Sequence, residues 1–99
     1  MSIATGLVAL GSTQASALPI SAKYNYFSTV AASTGCILRN DVAVGTEIHV
    51  KNGGANTLNI YPPLGGTADA GATNAATTIA AGVAARLHYA GKGNWYRSY

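Results

Sequence analysis

The sequence predicts an all-β domain: a small antiparallel sandwich, jelly roll or barrel of six to eight short strands, carrying an extended N-terminal arm. Three observations carry that expectation. Apolar residues alternate at period 2 in several short stretches, Gly, Asn and Pro punctuate the chain at regular intervals, and the alanine-rich stretches offer no amphipathic helical face. Short strands separated by turn signals every ten residues or so are the pattern of sandwiches and barrels.

The clearest elements lie in residues 45–63, GTEIHVKNGGANTLNIYPP. Ile48 and Val50 alternate with Glu47, His49 and Lys51, and Leu58 and Ile60 alternate with Thr57, Asn59 and Tyr61, so each half reads as a half-buried strand. Between them, Asn52-Gly53-Gly54-Ala55-Asn56 gathers residues that accept positive φ, and an antiparallel hairpin is expected. Pro62-Pro63 ends the second strand, because proline has no amide hydrogen for a ladder and pushes its predecessor toward extended geometry.

Residues 1–22 read as the arm and residues 23–99 as the single β domain. Gly6, Gly11 and Pro19 each interrupt helical geometry, and an extended arm can add a strand to a neighbouring subunit. Ala15-Ser16-Ala17 imitates a signal cleavage site, but no Lys or Arg precedes Lys23 and Gly6 breaks the apolar run, so secretion is not expected. No stretch reaches the roughly 20 apolar residues of a spanning helix.

In KYNYFSTVAA, residues 23–32, Tyr24, Tyr26, Ser28 and Val30 share one face and Asn25, Phe27 and Thr29 the other, which is a strand. Ser33-Thr34-Gly35 turns into a short strand at 36–39, followed by the polar turn Asn40-Asp41. Residues 64–78 form a long loop, since Gly71 and Gly82 bracket an alanine-rich piece shorter than the roughly 12 residues an isolated helix needs. Val83, Ala85, Leu87 and Tyr89 then alternate with Ala84, Arg86 and His88, and a Gly91-Lys92-Gly93-Asn94 turn leads to a last strand at 95–99.

Composition narrows the function. Ninety-nine residues support one core, with a folded surface of roughly 5,200 Å² by area scaling. Charged residues are 9% of the chain, against about 25% in an ordinary domain, so the surface is largely uncharged and suited to cover by another protein. The net charge of +3 comes from scattered residues, whereas a nucleic-acid footprint needs a patch or stripe. Cys36, the only cysteine, excludes an intrachain disulfide and reads as a small buried hydrophobe.

Catalytic chemistry is not expected. Asp41, Glu47 and Asp69 lie on separate elements, and no serine sits in a GxSxG elbow. His49, His88 and Glu47 could meet if their strands are neighbours, but the Glu47-x-His49 spacing arises on any outward strand face, so neither metal nor cofactor is expected. Gly65-Gly66 and Gly91-x-Gly93 are turns, not phosphate loops. Trp95 and Tyr96 fall on opposite faces of the last strand, one in the core and the other exposed or covered by a partner. Tyr61, Tyr96 and Tyr99 carry large contact area with a polar tip, which fits a protein interface or sugar stacking.

GSTQASALPISA followed by FSTVAASTGCIL resembles the start of small β-modules in tailed-phage virion proteins. GTEIHVKNGGANTLNIYPPLGG, then AAG and a C-terminal Trp-Tyr pair, resembles their second half. The resemblance implies a structural virion protein, either a capsid decoration (cement) protein or a head or tail fibre module. The short length favours decoration: a homotrimer made in the host cytoplasm, placed on the outer capsid surface and bridging copies of the major capsid protein, with no nucleic-acid or membrane partner. The expected subunit or capsid interface is Tyr61, Pro62, Pro63, Tyr96 and Tyr99. The alternative is a receptor- or glycan-binding fibre or adhesin head.

Overall fold

In the computed structural model, which describes residues 3–98, the period-2 patterning becomes ten strands. They are β1 (Ile3–Val8), β2 (Leu18–Pro19), β3 (Tyr24–Thr29), β4 (Gly35–Ile37), β5 (Glu47–Asn52), β6 (Leu58–Tyr61), β7 (Thr67–Ala68), β8 (Thr77–Ile79), β9 (Ala84–Gly91) and β10 (Asn94–Ser98). A six-stranded sheet runs β1-β3-β5-β9-β10-β7 and a four-stranded sheet runs β2-β4-β6-β8. The all-β fold expected from the sequence is present. The count exceeds six to eight because pieces as short as β2 and β7, two residues each, carry no readable period.

Pairing is where structure and expectation part. β1, β3 and β5 lie parallel, as do β2, β4 and β6, so the chain alternates between sheets and each coil stacks on the one before in a solenoid-like manner. The register sets Ile3 beside Tyr24 beside His49, and Leu18 beside Cys36 beside Ile60. The expected hairpin of β5 with β6 does not form, since the two strands belong to different sheets. Antiparallel pairing joins β5 to β9, β9 to β10 and β6 to β8, while β7 pairs parallel to β10.

The reason lies at the corner after β5. Asn52 is fully buried, its Nδ2 donating to the carbonyls of Asn56 (2.8 Å) and Ile79 (3.1 Å) while its Oδ1 accepts from the Gly54 N–H (3.0 Å). Both ends of the amide are thus satisfied, as burial demands. The glycines here act through close approach, because neither has a positive φ. A Cβ on Gly54 would stand 2.6 Å from the Val30 nitrogen and 2.7 Å from its Cβ, closer than atoms pack. Asn56 Nδ2 completes the seam by donating to the Val30 carbonyl at 2.9 Å.

Phe27, Ile48, Val50, Leu87 and Trp95 of the larger sheet pack with Cys36, Leu58, Ile60 and Ile79 of the smaller one. Trp95 is the core member of the Trp95-Tyr96 pair, and its indole N–H donates to the Arg39 carbonyl at 2.8 Å. The segment expected as an arm is extended in β1 and β2 but lies on its own chain as the first coil, with Ala9, Ala17 and Ile20 buried. Between its strands, a single 3-10 turn (Gln14–Ser16) is capped reciprocally by Thr13 and Ser16. The accessible surface, 4860 Å², is close to the scaling expectation for a chain with one core.

Removing the Asn52 amide strands two carbonyls and one N–H, and Asn52→Ala is expected to lower stability by about 2–4 kcal/mol in chemical denaturation. Gly54→Ala should cost about 1–3 kcal/mol through the clash at Val30. Losses under about 0.5 kcal/mol at both positions would mean that the corner does not hold the fold. Burial pushes the Cys36 thiol up to about 12. Native protein should therefore leave an aromatic disulfide reagent unreacted, with one equivalent titrating only after denaturation.

Candidate functional site

Alternation along the six-stranded sheet sends Phe27, Ile48, Val50, Leu87 and Trp95 inward and their neighbours to the outer face. Cross-strand register then assembles three rows there: Ile3, Tyr24, His49 and Arg86 in one; Glu47, His88 and Tyr96 in the next; Tyr26, Lys51 and Ala84 in the third. This face gathers aromatic and ionisable groups that lie far apart in the sequence.

Its electrostatic centre is Glu47. Oε1 lies 2.6 Å from His49 Nε2 and Oε2 lies 3.6 Å from His88 Nδ1. The His49 hydrogen bond, helped by the charges of His49, Arg86 and His88, holds the Glu47 carboxyl below its usual range despite partial desolvation. His49 in turn packs against Tyr24, with ring centroids 4.4 Å apart and planes tilted by 32°. Lys51 Nζ donates to the Gly82 carbonyl at 2.7 Å. Between these groups is a cleft of about 280 Å³ lined by Ile3, Tyr24, Tyr26, His49, Lys51 and Ala84 among others.

A second, open cleft of about 490 Å³ lies near Lys23, Arg39, Thr46 and Glu47. Its Arg39 is engaged by Asp41 through two parallel hydrogen bonds of 2.7 and 2.8 Å, which raises the guanidinium and lowers the carboxyl from their ordinary values. Asp69 Oδ1 accepts from the Arg97 N–H at 3.3 Å. Among the described residues, no group of three His, Cys, Asp or Glu side chains is arranged to hold a metal ion. Nor is any helix among them long and apolar enough to cross a membrane.

The contact residues expected from sequence are not brought together. Tyr61 lies on β6 in the smaller sheet, its hydroxyl donating to the Ser12 carbonyl at 3.2 Å, whereas Tyr96 is exposed beside His88 on the larger one. Pro62 and Pro63 are buried by their own chain, and the Pro62 carbonyl accepts from Gln14 Nε2 at 2.8 Å, so as a contact surface the diproline is corrected to a core element. Tyr99 lies outside the described residues. Sequence reasoning passed over Tyr24 and Tyr26 as site residues. Their shared face was legible, but the parallel pairing that sets them beside His49 and Lys51 was not.

No family model, curated protein or solved structure matches this chain. The site therefore rests on its geometry.

A carboxylate whose folded-state pKa is depressed contributes stability that is fully present above its unfolded value of 4.5 and lost as pH falls through the lowered one. The stability gap between wild type and Glu47→Gln, measured by denaturation from about pH 6 to about pH 3, should therefore shrink in acid. A gap that stays constant would show that Glu47 gains nothing from its imidazole neighbours.

Proposed function

We propose that this chain is a non-catalytic structural virion protein that decorates a tailed-phage capsid, self-associates, and bridges neighbouring capsid subunits on the outer surface. The virion setting comes from the sequence resemblance. The observation that supports assembly is the edge strand β1.

A sheet edge offers unpaired N–H and C=O groups to any passing strand, and proteins guard it with shortness, proline, charge or a bulge. Three of the four edges among the described residues are guarded by shortness, proline or charge. β2 is two residues long and contains Pro19, β7 is two residues long and ends in left-handed turn residues Asp69 and Ala70, and β8 has Arg97 Nη1 on the Thr78 carbonyl at 2.7 Å. β1 is six residues long, and residues 3–22 contain no charged side chain. Ile3 (67%) and Val8 (47%) are exposed on it, and its one guard is the irregular register around Gly6, where φ is 65°.

Strand addition at such an edge gives affinity through main-chain hydrogen bonds. A standard interface hides about 800 Å² per partner, so two of them would cover about a third of the 4860 Å² surface. With few charges to desolvate, that cover comes at low electrostatic cost. A receptor- or glycan-binding head is the second reading, favoured by the exposed ring of Tyr26 beside the 280 Å³ cleft.

Sedimentation should give an oligomer, a trimer on this reading, of the 10.0 kDa chain that pellets with phage heads. The double variant Ile3→Lys, Val8→Lys should stay folded, run as a monomer, and lose head binding by roughly tenfold or more. A wild-type monomer that remains in the supernatant with heads would overturn the proposal.

A further inference from the structure

We infer that the cleft on the outer face of the six-stranded sheet binds an acidic sugar, with one pyranose ring stacked on Tyr26 and its carboxylate met by Arg86. This rests on the second, glycan-binding reading; the cleft shares Ile3 with β1, so it is tested at Tyr26 and Arg86 instead.

The platform is built by a glycine. The phenol end of Tyr26 lies over Gly53, where a Cβ would stand 2.5 Å from the tyrosine oxygen and 2.7 Å from Cζ. Tyr26 is nonetheless 42% exposed, so its ring is supported from below and open to solvent above. A ring already held in place loses little freedom when a ligand stacks on it. The neighbouring wall is fixed as well: Tyr24 packs on His49, and His49 is tied to Glu47. Lys51 gives one of its three N–H groups to Gly82 and keeps two for a ligand.

A pyranose has an apolar C–H face and a hydroxyl rim, which is the complement of an aromatic platform edged by phenol, imidazole and ammonium groups. The cleft, about 280 Å³, lies just under the roughly 300–1,000 Å³ of sites for drug-sized ligands, so it takes one ring at a time.

Charge selects the acidic member of the class. The outward rows carry Lys51 and Arg86 against the single carboxylate of Glu47, which both imidazoles already approach. Arg86 stands in register with His49 just beyond the cleft lining and is exposed; its side chain makes no hydrogen bond among the described residues, and its charge reaches Glu47. A planar fork in that position suits a uronate or sialate carboxylate. A nucleic-acid strand is disfavoured, since it would need a basic track along its backbone that these scattered cations do not provide.

The test is NMR of the full chain titrated with glucuronic acid, N-acetylneuraminic acid and galactose. Acidic sugars should give saturation transfer and shift the Tyr24, Tyr26 and His49 resonances more than galactose does. Tyr26→Ala should abolish the effect with the fold intact by thermal unfolding, and Arg86→Gln should weaken acidic sugars by roughly fivefold while leaving galactose unchanged. Equal response to acidic and neutral sugars, no response to any, or a response to oligothymidylate instead would overturn the inference. Shifts centred on Tyr96 would keep a glycan-binding module but remove it from this cleft. Because Tyr26 and Arg86 lie away from the outer edge of β1, both variants should retain the wild-type sedimentation mass, which separates this result from the assembly test.

Discussion

The side-chain amide of Asn52 holds three backbone groups where the chain leaves the six-stranded sheet for the four-stranded one. A chain reversing at that point into a hairpin would have kept β5 and β6 in one sheet. Instead, the amide bonds forward to Asn56 and across to Ile79, turning the chain out of its sheet and fixing β8 beside the corner. Main-chain bonds between Asn52 and the turn before β9, from the Asn52 N–H to Val83 and from the Gly82 N–H to Asn52, extend the same anchor to the next antiparallel strand. One buried polar group therefore links the parallel first half to the antiparallel second half. Such a group is tolerated in a core because both of its N–H groups and its carbonyl are paired.

Parallel coiling has two consequences for function. Among the described residues the first coil has a coil on one side only, which leaves β1 as an edge. Coiling also sets residues from successive coils side by side at strand spacing, so that Ile3, Tyr24 and His49 form a continuous row. A meander would have paired β3 with its sequence neighbour, and Tyr24 would not have met His49. The same stacking brings the backbones of adjacent coils close enough at Gly53 and Gly54 to exclude a β-carbon, and this proximity gives Tyr26 its resting place.

Much of the strand content was legible, and for a simple reason. Residues 47–52 and 58–61 alternate because one face of each strand meets the core, a local consequence that needs no knowledge of pairing. Trp95 and Tyr96 separated into core and surface for the same reason. Pro62-Pro63 was read as an end to β6, which it is, and as surface, which it is not. A proline's lack of an amide hydrogen can be read from sequence, but whether another loop covers it cannot.

What the sequence determined by itself is the class of the fold, the position of the long strands, the inward faces and the inert character of Cys36, all of which follow from local period and composition. Only the tertiary structure decided which strands are neighbours, and with them the two-sheet coiling, the long uncharged edge at β1 and the aromatic face. The physical reason is that a period-2 pattern states which way a side chain points and is identical for parallel and antiparallel partners. Partner choice was settled by long-range contacts, above all a buried amide and two glycines whose identity looked, in the sequence, like those of an ordinary turn.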